Sequence, residues 1–238
     1  MIYEPRGRAR EYAPLAANLY SGCSHGCKYC YAPAATFKQK DNFHSVVKPR
    51  KRALEELEQD AAKLGHSGKR VLLSFTTDPY QPLDEKLGLT RRAIQILHRH
   101  GLKVEILTKG GTRAARDFDL LGSGDAFAST LTFLDCDMSR EWEPNAADPD
   151  DRIAAIREAH ARGIPTWVSL EPVIDPRQSL EIIIKTHPYV NLFKVGTLNH
   201  HRLTKTIDWR TFGRRAKALL EKLGKDYYIK DDLRAYIA

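Results

Sequence analysis

The sequence predicts a single α/β domain, a partial (β/α)6 TIM-like barrel, and three observations predict it. Apolar runs of strand length alternate with stretches whose apolar residues recur at helical spacing. Glycine, proline and short polar clusters punctuate the alternation, with no linker, short-period repeat or low-complexity segment. Each apolar run exits into polar or reactive residues, as strands do at the ligand-binding end of a parallel sheet. Such alternation forces parallel pairing through right-handed crossovers. Six or so units are too many for a small flavodoxin-like sheet and too few for a closed eight-fold barrel.

The elements follow in order. Residues 1–14 carry Arg6, Arg8 and Arg10 with Pro5 and Pro14 and read as an irregular basic arm, leaving 15–238 as the barrel domain. Leu15 to Tyr20 reads as a first strand that delivers a cysteine-rich loop. Lys48 to Leu64 sets Leu54, Leu57, Ala61 and Leu64 at helical spacing, and Gly65-His66-Ser67-Gly68 stops it. Arg70 to Phe75 is a second strand. Thr90 caps a helix that Gly101 ends, and Lys103 to Thr108 is a third strand. A helix from about Thr112 to Leu121 leads to a fourth strand, Ala126 to Phe133. Pro149 to Arg162 is helical, Gly163 stops it, and Thr166 to Leu170 is the fifth strand. Gln178 to Thr186 is helical, Val190 to Val195 is the sixth strand, Thr211 to Leu223 is a last helix, and Tyr227 to Lys230 adds a short seventh strand.

The 238 residues suffice for one sizeable core and are few for two ordinary domains. Hydrophobic content of 42% and charged content of 29% describe a globular chain rather than a disordered one. No apolar run approaches the roughly 18 residues that cross a bilayer, and Met1 to Arg10 is charged, without the apolar segment of a secretory signal. A membrane role is therefore not expected. Unpaired, clustered cysteines point to a reducing cytoplasm rather than to a disulfide scaffold. The formal net charge of +8 favours polyanionic partners, of which nucleic acid is the commonest.

The stretch Asn18 to Pro33 holds three of the four cysteines, Cys23, Cys27 and Cys30, spaced C-x3-C-x2-C. Three thiolates on so short a loop can converge on one soft metal centre, but an all-cysteine tetrahedral site lacks its fourth ligand. Two readings stay open on these residues. A structural zinc takes Cys23, Cys27, Cys30 and His25, although His25 lies between ligands where structural zinc sites pair knuckles from two separated segments. A [4Fe–4S] cluster takes one ligand per iron, so three cysteines leave one iron open to a small chelating cofactor. Elsewhere, candidate ligand-binding residues stand at strand exits: Thr77 and Asp78 after the second strand, Lys109 after the third, and Ser129 in the fourth with Cys136 beyond it; the fifth strand exits through Glu171 and the sixth through Lys194 to His200, polar ends with no assigned role.

The cysteine spacing is the signature of radical S-adenosylmethionine (SAM) enzymes. With Tyr29 before the last cysteine and Tyr31 after it, the loop resembles the spore photoproduct lyase-like branch of that superfamily. The resemblance covers residues 15 to 200, with Thr77-Asp78-Pro79-Tyr80-Gln81-Pro82, Leu107-Thr108-Lys109 and Glu143-Pro144 as further anchors that match short relatives of the lyase. It implies a partial barrel, a [4Fe–4S] cluster on Cys23, Cys27 and Cys30, and S-adenosylmethionine on the open iron. SAM brings a carboxylate, an amine, a ribose and an adenine, each wanting a partner. Lys109 suits the carboxylate with Ser129 beside it, Thr77 and Asp78 suit the amine, and Tyr29 can back the adenine. The implied chemistry is reductive cleavage to a 5′-deoxyadenosyl radical that takes hydrogen from an unactivated carbon, while the protein orients the cofactor and excludes water. An external one-electron donor such as flavodoxin or ferredoxin is implied as well.

The lyase has a hydrogen-donating cysteine at the end of its second strand, where this chain has Phe75, which cannot donate. Cys136 is the candidate replacement, and it joins Tyr29 and Tyr31 as a candidate catalytic residue. The branch acts on DNA. Lys48 to Arg52, Arg91-Arg92 and Arg210 to Lys217 supply positive charge, and Tyr80, Trp142 and Trp209 are placed to stack on an extruded base. A thymine-like base in DNA, rather than RNA, is the leading substrate, for repair or modification. A peptide or small metabolite is the second reading. The third is a non-enzymatic zinc-binding nucleic-acid module.

Overall fold

Seven apolar runs lie side by side in chain order, because each is followed by a helix that carries the chain back to start the next strand alongside it. The structure, a computed structural model, describes residues 1–199 and 201–238. The strands are β1 (Leu15–Ala17), β4 (Arg70–Leu73), β5 (Lys103–Thr108), β6 (Ala126–Thr130), β7 (Thr166–Leu170), β8 (Leu192–Val195) and β9 (Asp226–Ile229), all parallel. The two-residue strands β2 (Tyr20–Ser21) and β3 (Lys48–Pro49) form a separate antiparallel ladder beside β1. The helices are α1 (Ala32–Ala35), α2 (Lys40–Ser45), α3 (Ala53–Leu64), α4 (Pro82–Leu87), α5 (Leu89–Arg99), α6 (Cys136–Trp142), α7 (Pro149–Ala161), α8 (Pro176–Thr186), α9 (Trp209–Lys222) and α10 (Asp231–Ile237). This is the partial barrel expected from the alternation.

The departures are local. The expected first strand breaks after Ala17, and the helix read from Lys48 begins at Ala53, because Lys48 and Pro49 pair with Ser21 and Tyr20 instead. The stretch after β5 is a 3-10 turn over Gly111–Leu120 rather than an α-helix. The basic arm forms a 3-10 turn over Gly7–Glu11, and Tyr3 bridges to Ala16.

Alternation along each strand sorts the side chains. Val71, Leu73, Val104, Ile106, Phe127, Val168, Leu170, Phe193 and Val195 belong to the core shared with Leu57, Ile94, Leu97, Ile156, Ile183 and Leu220 of the helices. The other face carries a second, smaller cluster of Ala16, Leu72, Ala126, Ala128 and Trp167, joined by Tyr12, Phe75 and Leu107. Three alanines on the inner face leave room above them for a cavity at the strand ends.

That inner face also holds a buried ion pair, Lys194 Nζ at 3.7 Å from Glu105 Oε1, with the ammonium 4.3 Å from the centre of the Trp167 ring. Lys194 therefore does not stand on the rim: it donates to the Tyr12 carbonyl at 2.6 Å and locks the arm to the sheet. Burial lowers the Lys194 pKa and raises that of Glu105. Lys194→Met strands the carboxylate and is expected to cost about 3–5 kcal/mol in urea unfolding. Adding Glu105→Leu is expected to recover more than half of that loss.

Candidate active site

The cysteine loop runs from β2 into α1 and is gripped from four sides. Cys23 N donates to Phe43 O at 3.1 Å, and His44 Nδ1 lies 2.8 Å from Cys23 O. Lys28 N donates to Trp142 O at 2.8 Å, Asn145 N to His25 O at 3.1 Å, and Ser24 N to Gln81 Oε1 at 3.1 Å. Gly22 is needed here: at φ +88° a Cβ would sit 2.6 Å from Val46 O and 2.8 Å from Phe43 O.

Cys23, Cys27 and Cys30 are free thiols on one wall of a cavity of about 290 Å³. Burial raises the pKa of all three, Cys27 to about 12. Among the described residues, no three His, Cys, Asp or Glu side chains are grouped to hold a single metal ion. A mononuclear zinc needs its sulfurs drawn in to bonds of about 2.3 Å, whereas a cluster takes one thiolate per iron. His25, the fourth ligand of the zinc reading, is buried with Nδ1 3.5 Å from Asp78 Oδ2. Burial pulls its pKa down to about 4, so the ring is neutral at pH 7.

Asp78 also lines the cavity, and its carboxylate is largely engaged. Oδ1 accepts from Tyr80 N at 2.9 Å and Thr108 Oγ1 at 2.6 Å, and Oδ2 accepts from Lys109 N at 2.7 Å. Three polar atoms near it are buried without a hydrogen-bond partner among the described residues, Thr77 Oγ1, Ser74 Oγ and His25 Nε2, and all three residues line the cavity. Lys109 lines it too, with Nζ 5.6 Å from the centre of the Tyr29 ring and no ion pair among the described residues. Free acceptors beside an unpaired cation fit a cofactor that carries an amine and a carboxylate.

Tyr29 donates to Glu143, which is paired with Arg152 at 2.6 Å. Arg152 in turn donates to Thr130 O at 3.1 Å and Ala147 O at 2.7 Å. Glu143-Pro144 is thus the anchor that fixes the tyrosine. Burial, with Cys27 and Glu143 nearby, raises the Tyr29 pKa well above the usual phenol value. Tyr31 lies at the mouth, 46% exposed, and donates to Phe75 O at 3.1 Å.

Across the cavity stands a second polar wall. Glu171 accepts from Tyr12, from Lys230 and, at 3.1 Å, from Asn199 Nδ2. Arg8 donates to Asn199 and lies 3.7 Å from Asp232. Glu171 and Asn199 stand at strand exits in the sequence, but nothing there gave them a role. Lys230 was within reach of the same rule applied to β9, Arg8 was visible only as part of a basic arm, and nothing marked Tyr12.

Two candidate residues are not brought to the cavity wall. Ser129 shares the helix-facing side of β6 with Phe127, where its Oγ donates to Thr108 O at 3.0 Å, and Thr130 lines the cavity instead. Cys136 opens α6 and is not among the lining residues. Of the expected stacking aromatics, Tyr80 and Trp209 are buried, and Trp142 packs on Phe133 and His201. Arg91 is tied up by Asp117 and Asp119.

Parallel strands that end around three thiols and a lysine with no ion pair among the described residues fit an iron–sulfur enzyme of the partial-barrel class. The chain belongs to the radical SAM superfamily, whose family model matches residues 17–187. It is a radical SAM enzyme, and a [4Fe–4S] cluster and SAM are its cofactors. It is 27% identical over 191 residues to an uncharacterized protein of Methanocaldococcus jannaschii, covering 79% of this chain and 71% of that one. It is 29% identical over 166 residues to an uncharacterized protein of Mycobacterium tuberculosis, covering 66% of this chain and 48% of the other, so it spans about half the mycobacterial relative. Among solved structures, a cysteine-to-serine variant of spore photoproduct lyase superposes with a TM-score of 0.74 at 14% identity, covering 94% of this chain and 78% of that one. Streptococcus suis SuiB bound to S-adenosylmethionine superposes with a TM-score of 0.68 at 12% identity, covering 93% and 51%.

Glu143→Ala leaves the Arg152 guanidinium buried and unpaired and is expected to cost about 3–5 kcal/mol in urea unfolding. Tyr29→Phe removes one hydrogen bond to that carboxylate and is expected to cost about 1–3 kcal/mol.

Proposed function

We propose that this radical SAM enzyme abstracts hydrogen from a thymine-like base in DNA. The observation that carries the reading is one cavity with two unlike walls, thiols and free acceptors on one side and the Tyr12–Glu171–Asn199–Lys230 network on the other. Cys23, Cys27 and Cys30 hold the cluster. Lys109 takes the SAM carboxylate, Thr77 and Ser74 accept from its amine or ribose, and Asp78 keeps Lys109 and His25 in place. When bound, the cluster supplies the electron that cleaves SAM. Tyr29 forms a wall beside Lys109, and its hydroxyl is held away by Glu143, so the ring keeps one orientation. Tyr29 and Tyr31 line the cavity and supply aromatic surface for a planar ring, which favours a base. A spore photoproduct lyase variant with bound AdoMet and dinucleoside spore photoproduct has a similar fold. No helix among the described residues is long and apolar enough to cross a membrane, and we place the enzyme in the reducing cytoplasm.

The test is anaerobic reconstitution with iron and sulfide analysis, followed by 5′-deoxyadenosine assay. About four irons per chain are expected, retained in His25→Ala and largely lost in Cys27→Ala. One zinc and loss of metal in His25→Ala would remove the cluster reading. Lys109→Ala is expected to weaken SAM binding about ten- to a hundred-fold, as the loss of a charge-assisted bond does. Deoxyadenosine formation should rise with irradiated thymine-containing DNA; a rise with peptides alone would remove the base reading.

A further inference from the structure

The positive charge of this chain is concentrated on one segment. Residues 20–52 hold seven Lys and Arg against Asp41 alone, a net +6 of the chain's +8. All seven cations, Lys28, Lys38, Lys40, Lys48, Arg50, Lys51 and Arg52, are exposed. Lys28 pairs with Glu141 and Arg52 with Glu55, while the other five have no ion pair among the described residues. They form one continuous surface: Lys40 Nζ donates to Lys28 O at 2.7 Å, Lys38 donates to Ser21, and Ser21 pairs in register with Lys48.

Apolar groups stand within the same surface. Phe37 is 99% exposed in a left-handed conformation at φ 54°, and Val46 is 57% exposed. A phenylalanine held fully in water in a conformation that side chains disfavour has no role in the core. Exposed cations on the same segment as an exposed aromatic are the composition of a protein-docking surface, in which charge steers the encounter and an apolar anchor holds it.

The position of the surface selects the partner. None of residues 33–52 lines the cavity, so this face does not present a substrate to it. It is the outer cover of the cysteine loop: Cys23 N donates to Phe43 O, and the His44 ring bonds Cys23 O. A partner seated here is separated from the cluster ligands by one layer of backbone. That location serves electron delivery and not substrate entry.

We propose that Lys38, Lys40, Lys48, Arg50, Lys51 and Phe37 form the docking surface for an acidic one-electron carrier protein that reduces the cluster. The inference rests on the radical SAM reading and adds the surface through which it is served. One electron leaves the carrier's reduced flavin or iron–sulfur centre and enters the cluster. No bond forms or breaks.

The test compares the reconstituted holoenzyme with a Lys38→Glu/Lys40→Glu/Lys48→Glu variant, and separately with Phe37→Ser, whose side chain supports nothing in the fold. The probe is a purified acidic flavodoxin. Expected are flavodoxin binding by titration weakened about tenfold or more, a matching rise in the flavodoxin KM for SAM cleavage, and loss of both effects at high salt. Iron content and dithionite-driven cleavage should stay within about twofold, because a small reductant needs no docking. Unchanged flavodoxin binding would overturn the proposal. So would loss of duplex DNA binding with flavodoxin binding intact, which would assign the surface to nucleic acid. Failure of dithionite-driven cleavage in the unaltered enzyme would instead strike the catalytic reading, and the titration would still report on the surface.

Discussion

The Asp78 carboxylate is the contact on which the site depends. It joins three segments far apart in sequence: its own exit from β4, the Thr108-Lys109 exit from β5, and the cysteine loop through His25. A carboxylate that accepts two backbone amides and a hydroxyl inside a protein is a strong fixed point. Remove it and the Lys109 amide loses its acceptor, while the His25 ring loses the carboxylate beside it. The position of the lysine relative to the thiols is therefore set by one side chain that need not touch the cofactor.

A second fixed point works at the other end of the loop. Arg152 and Glu143 bury a full charge pair behind Tyr29, and the arginine also closes on two carbonyls. Buried pairs of this kind add little net stability, but they punish any rearrangement that separates them. Together the two anchors hold the thiols from both sides, which suits a site whose wall must not flex when a bulky inorganic group fills it.

Most of the fold was legible because parallel strands buried on both faces are continuous apolar runs, and the helix stops at Gly65, Gly101 and Gly163 are explicit. The cysteine loop was legible from spacing alone. What escaped was long-range pairing. The Tyr20–Ser21 and Lys48–Pro49 ladder has two residues a side and so no period to detect. Ser129 was misplaced for a different reason. Phe127 must face the helices, and a residue two further on shares its face, so the period-two rule already pointed Thr130 inward. Tyr12 carried no signal, since an irregular arm gives no register from which to judge where a side chain lands.

The far wall of the cavity is assembled from both ends of the chain. Tyr12 and Arg8 come from the start, Asn199 and Lys230 from near the finish, and Glu171 joins them. The thiol wall, by contrast, draws on no residue beyond Arg152, which precedes β7. During synthesis the residues of the thiol wall are therefore all made before Glu171, Asn199 and Lys230. A growing chain passes through a stage in which thiols are in place and the opposing wall is missing. The arm is held by Ala16 and Lys194 as well, but the contact of Lys230 with Glu171 waits for β9. Completion of this wall waits until the chain has been made through residue 230.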